Sequence, residues 1–143
     1  MGFLATDFVP IGTNGPTTTV PVNKDLVVKA FVVNRTDTSA TLKAVLPADA
    51  SIVDVDLFGA ASNAGTTATV SIGTSTTANE IINAQDVKTA GGRIRPTTSW
   101  STNYPNTQPV PLSGDIQIFA KYAETGTAST SGGPYTVLVY YVR

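Results

Sequence analysis

The chain has no cysteine and no histidine. The first absence removes any disulfide framework and any thiolate chemistry. The second removes the commonest general base and the commonest transition-metal ligand. Charge is scarce too: nine Lys and Arg stand against ten Asp and Glu in 143 residues, 13 % in all, about half the usual share. A net charge of -1 offers no basic field to nucleic acid. No apolar run approaches the roughly 20 residues that span a bilayer. The start, MGFLATDFVP, has neither a basic n-region nor a long apolar h-region, so no secretory leader and no membrane contact are expected.

Thr, Ser, Gly, Ala and Asn fill the space the charges leave. Thr and Val suit a pleated surface with one wet face. The length fits one domain with a real core. Residues 1–24 are short on periodicity and rich in Thr, Pro and Gly, and read as an extended N-terminal arm. Residues 25–143 read as the folded domain.

Strand signals follow one another through that domain. DLVVKAFVVN (25–34) is apolar on both faces, as in a strand covered on both sides. ATLKAVLP (40–47) alternates, which assigns Ala40, Leu42, Ala44 and Leu46 to one face. SIVDVDLFG (51–59) alternates as well, with Val53, Val55 and Leu57 inward and Asp54 and Asp56 outward. TATVSIGT (67–74) places Ala68, Val70 and Ile72 together. Thr77 and Glu80 have capping-box spacing, which predicts one or two helical turns within Thr77–Val87. Residues 88–113 read as one long irregular segment. GDIQIFAKYAE (114–124) aligns Ile116, Ile118, Ala120 and Tyr122. PYTVLVYYVR (134–143) is apolar on both faces and calls for a central position or a neighbouring chain, and TGTASTSGG before it reads as a flexible hairpin loop. Six to eight strands without βαβ alternation predict an all-β fold: an antiparallel β-sandwich or jelly roll with an extended N-terminal arm and one long irregular loop.

Chemistry is hard to assemble from these parts. Asp54 and Asp56, at i and i+2 on a strand, have backbone positions about 6.5–7 Å apart. A glycosidase can use such a separation, but no aromatic cleft motif accompanies the pair, and the plain reading is a solvated strand face. The oxygen-rich spacing of a calcium loop is missing. A serine nucleophile has no histidine to activate it, and there is no phosphate-binding or dinucleotide fingerprint. No enzyme activity, no cofactor and no metal are expected.

The stretch RPTTSWSTNYPNTQPVPL (95–112) holds the sole Trp. A structureless loop of this length is usually functional or disordered. Arg93, Arg95, Trp100 and Tyr104 are residue types enriched at interface hot spots. With Tyr140 of the last strand they form the candidate protein interface. The alternative for Trp100 is a lid on the domain's own core.

Three stretches carry a resemblance: LPADASIVDVDLFGAASNAGTTATVSIGT, NAQDVKTAGG and GDIQIFAKYAETGTASTSGGPYTVLVYYVR. Over residues 46–143 the chain resembles small virion proteins of tailed bacteriophages, of the capsid decoration or cement type with a β-sandwich or jelly-roll fold. The N-terminal arm and the Trp100 loop have no counterpart in that group. The resemblance implies a non-enzymatic protein made in the host cytoplasm and carried on the capsid surface. It would bind the major capsid protein and cement neighbouring subunits, as a homo-oligomer, trimer before dimer. A receptor- or carbohydrate-binding module of a tail or fibre is the alternative, with Trp100, Tyr104 and Tyr122 stacking on sugar rings.

Trp100→Ala separates the two roles of the loop. An interface anchor predicts attachment or oligomerisation weakened by roughly 30-fold with an unchanged melting temperature. A core lid predicts the loss of about 3–5 kcal/mol of folding stability with binding intact at low temperature. Thermal unfolding and particle retention of the same variant decide between them.

Overall fold

The computed structural model describes residues 25–89, 91–96 and 114–142. The N-terminal arm, Trp100 and Tyr104 lie outside the described residues. Within them the chain forms eight strands: β1 (Leu26–Val33), β2 (Thr41–Leu46), β3 (Ser51–Gly59), β4 (Thr67–Gly73), β5 (Ile82–Asp86), β6 (Gly92–Ile94), β7 (Ile116–Thr125) and β8 (Tyr135–Val142).

The strands build two four-stranded sheets, β1-β8-β3-β6 (sheet A) and β2-β7-β4-β5 (sheet B). All the pairings are antiparallel: β1 with β8, β2 with β7, β3 with β6 and β4 with β5, closed by β3 with β8 and β4 with β7. This is a long hairpin of four nested pairs rolled over on itself, the jelly-roll arrangement. The two inner faces share one core. Val33, Ile52, Val55, Leu57, Tyr135, Val137 and Val139 come from sheet A, and Leu46, Ala68, Val70, Ile72, Ile118, Ala120 and Tyr122 from sheet B. Tyr122 and Tyr135 stack across the sandwich, ring centroids 6.1 Å apart.

Period-2 alternation holds for β4 and β7, and the residues expected to share their inward faces are buried. β8, apolar on both faces, takes the central position expected of such a strand, between β1 and β3, and buries Tyr135, Val137, Val139 and Tyr141. Alternation fails where a bulge adds a residue and inverts the phase. In β3 the register against β8 shifts between Ile52 and Asp54, so Ile52 points inward and Val53 outward, contrary to the alternation expected. In β2 the shift falls between Leu42 and Ala44. Leu42 therefore leaves the face of Ala44 and Leu46 and is exposed. β1, expected to be covered on both sides, is an edge strand whose outer face is open.

Two local expectations are also corrected. The connection from β7 to β8 is not a hairpin, because the two strands lie in different sheets. It is pinned to the β3–β4 loop: Asn63 Oδ1 accepts from the N–H groups of Thr130 and Ser131 at 2.8 and 2.9 Å, and the Gly133 N–H donates to Ala60 O at 3.0 Å. Gly132, at φ 107°, lies so close to Ser62 that an added Cβ would sit 2.5 Å from the Ser62 Cα. The predicted helical turns after Thr77 are a turn followed by β5. Thr77 and Glu80 do meet, but the Glu80 carboxylate also accepts from the Ser75 hydroxyl and from the N–H groups of Thr74 and Asn79. That cluster closes a loop and leaves no run of helical N–H donors to cap.

Burial opposes the charge on Glu80, yet the Ser75 and Thr77 hydroxyls more than offset it and hold the carboxyl at about 2, below its ordinary 4.5. Because the folded-state value lies below the unfolded one, this contribution is complete above pH 4.5 and disappears as pH falls toward 2. Hydrogen bonds to a charged acceptor contribute about 1.5–3 kcal/mol, and solvent screening on this partly exposed loop reduces that to about 1 kcal/mol. Glu80→Gln is expected to lose about that much at neutral pH and to unfold with a flatter acid dependence than the wild type, measured by urea titration at a series of pH values.

Candidate protein interface on sheet A

The outer face of sheet A is set by the same register. Opposite the buried row of β8 stand Leu138, Tyr140 and Val142, each half-buried. Across from them on β1 are Ala30, Val28 and Leu26. On the other side, β3 places Asp54 beside Tyr140, Asp56 beside Leu138 and Phe58 beside Thr136. The β3 bulge adds Val53 to this face. Leu26, Val28, Val32 and Val53 are 61, 45, 42 and 52 % exposed. They are four of the six large hydrophobic side chains exposed among the described residues, so the exposed apolar surface is concentrated here. Leu42 and Val45 of β2 are the other two.

β6 supplies the charge. Gly92 takes φ 78°, a conformation suited to glycine, and starts the three-residue strand that pairs Arg93 with Phe58 and Ile94 with Leu57. Ile94 turns into the core and Arg93 out. The Arg93 guanidinium lies over the Phe58 ring, 5.9 Å from its centroid, and its Nη2 donates to Asp56 Oδ2 at 2.6 Å. Arg95 Nη2 donates to Asp54 Oδ2 at 2.6 Å, and its Nε lies 3.6 Å from Asp56 Oδ1. The hydrogen bond that Arg93 donates to the Asp56 carboxylate, and then the charge of that carboxylate, raises Arg93 above the ordinary guanidinium value.

Asp56 is fully buried beneath the two arginines, so the solvated-acid reading of the pair is overturned at that position. The reason is geometric: the alternation does place Asp56 outward, but β6 docks alongside β3 and lays its arginines over it. Asp54, Asp56, Arg93 and Arg95 with Leu26, Val53 and Tyr140 line one open groove of about 330 Å³. Arg93, Arg95 and Tyr140, far apart in sequence, are thus brought together, while Trp100 and Tyr104 are not among the described residues. The β1 and Val53 contributions are not among the residues expected from the sequence: two apolar faces on β1 signal a covered strand as much as an exposed face, and Val53 joins the face only through the β3 bulge.

No known family model matches the chain, and no curated protein is similar to it. Among solved structures, a chain of the capsid asymmetric unit of cyanophage Pam1 is similar, with a TM-score of 0.59 and 17 % identity over 85 % of this chain and 86 % of that one. The likeness is one of fold, and it extends over most of both chains.

The Arg93–Asp56 contact yields a test of what the burial costs. A buried carboxylate deprived of its partner is destabilising, whereas removing charge and partner together is close to neutral. Arg93→Ala is therefore expected to lower the urea midpoint, and adding Asp56→Asn to restore most of the loss. A double variant less stable than Arg93→Ala alone would contradict this account.

Proposed function

We propose that this chain is a structural protein of a phage virion, bound to the outer surface of the capsid, where it cements neighbouring major capsid subunits. The observation that carries the reading is the jelly roll itself, similar over 85 % of its length to a chain of a phage capsid asymmetric unit. The exposed apolar face of sheet A supports it, because a contiguous apolar patch on a small protein marks an interaction surface. In this reading the protein works without catalysis. Each copy adds contacts across a seam between shell subunits, and copies repeated at symmetric positions act together. A homo-oligomer, trimeric or dimeric, would match the local symmetry of such a shell.

Copy number tests the proposal. Quantitative gel or mass-spectrometric analysis of purified particles is expected to find the protein in a fixed stoichiometric ratio to the major shell protein. A few copies per particle, at one vertex, would assign it instead to a tail or fibre as a receptor- or carbohydrate-binding module.

A further inference from the structure

We infer that the protein attaches through the outer face of sheet A, seated on an apolar, uncharged patch of the shell protein. The inference rests on the capsid reading and names the surface that reading leaves open.

Three observations select the face and its partner. The sheet edges are poor docking sites. β1 carries Lys29 on its inward side opposite Val139, β2 is bulged next to Lys43, β5 is irregular at Ala84 with φ 54°, and β6 has three residues. Inward-pointing charges, bulges and short edge strands each discourage strand addition. Contact is left to the faces, and sheet A's holds four of the six exposed large hydrophobic side chains among the described residues.

The charge pattern specifies the partner. Asp54 and Asp56 already hold Arg95 and Arg93, so the groove is neutral as it stands. A charged partner gains little there, while an apolar one fits beside Leu26, Val53 and Tyr140. The arginines are held by their own carboxylates and keep spare N–H donors for backbone carbonyls, with less ordering entropy to lose on binding.

The area argues against a second copy as the occupant. Seven paired residues along three to four strands cover roughly 24 Å by 14–19 Å, about 400 Å². A stable complex takes about 800 Å² from each partner. This face alone therefore does not hold two free copies together, but it serves on a shell where many copies and seams contribute at once.

Hydroxyl-radical footprinting of the free protein and of purified particles tests this. On particles, labelling of Leu26, Val28 and Tyr140 is expected to fall while Leu42 and Val45 stay reactive. Val28→Asp is expected to weaken retention by roughly tenfold or more and Val45→Asp to leave it unchanged. Retention of the wild type is expected to be insensitive to salt, because the face is neutral. If the wild type is retained but Leu26, Val28 and Tyr140 stay reactive, or if salt strips it, the face is wrong and the capsid reading survives. Absence of the wild type from particles removes the capsid reading and this inference together. A solution dimer that Val28→Asp dissociates would assign the face to a second copy and overturn the choice of partner.

Discussion

Sheet A is held together by one strand. β1 and β3 do not touch through hydrogen bonds; each pairs with β8, which lies between them. The row Tyr135, Val137, Val139 and Tyr141 faces the core and Leu138, Tyr140 and Val142 face outward, so β8 needs apolar residues on both sides. Strands from opposite ends of the domain must meet before the sheet exists. Such long-range pairing makes folding slow compared with locally connected folds, because loop closure comes before the contacts that reward it. The nested order of pairs also fixes which loops share an end of the sandwich. The β3–β4 and β7–β8 loops meet there and bond to each other through Asn63.

The core and the outer face follow from one register, and they use it differently. Inside, Tyr122 is the point where the core needs polar support. Its hydroxyl bonds with Ser62 at 2.8 Å and Glu124 at 2.7 Å, and the Ser129 hydroxyl holds Glu124 below the ordinary carboxylate range. Burial raises the Tyr135 hydroxyl above its usual value. Outside, polar satisfaction comes from β6, whose arginines neutralise acids that β3 presents. The sheet can thus keep a buried carboxylate and an open apolar stripe within a few residues of each other.

Much of this was legible in the sequence, and the failures have physical causes. β4 and β7 alternate, so their core residues are readable directly; β8 is apolar on both faces, so its sequence gives a central position but not which face meets the core. β2 and β3 contain bulges, and neither TLKAV nor SIVDV announces an extra residue; in β3 Ile52 and Val53 are equally apolar. β1 was misread because apolarity on both faces signals a covered strand and an interface strand alike. The Thr77–Glu80 pair is in contact, but not as a capping box, in which each side chain bonds the other residue's backbone N–H: here the Thr77 hydroxyl donates to the Glu80 carboxylate itself and closes a turn. β6 is too short for any periodicity, and its three residues were absorbed into the irregular segment. Of the site, Arg93, Arg95 and Tyr140 were chosen for residue type. Their convergence depended on β6 lying next to β3, a fact of topology that no local pattern carries.

The ladder around β8 also gives the molecule a mechanical direction. Hydrogen bonds in an antiparallel sheet run perpendicular to the strands. Tension applied along the strands loads every rung in shear at once: eight residue pairs between β1 and β8 and seven between β3 and β8. Tension applied across the sheet peels the rungs apart one after another. The same domain is therefore stiff and strong along one axis and tears easily along another, so the orientation in which it is mounted decides how much force it withstands.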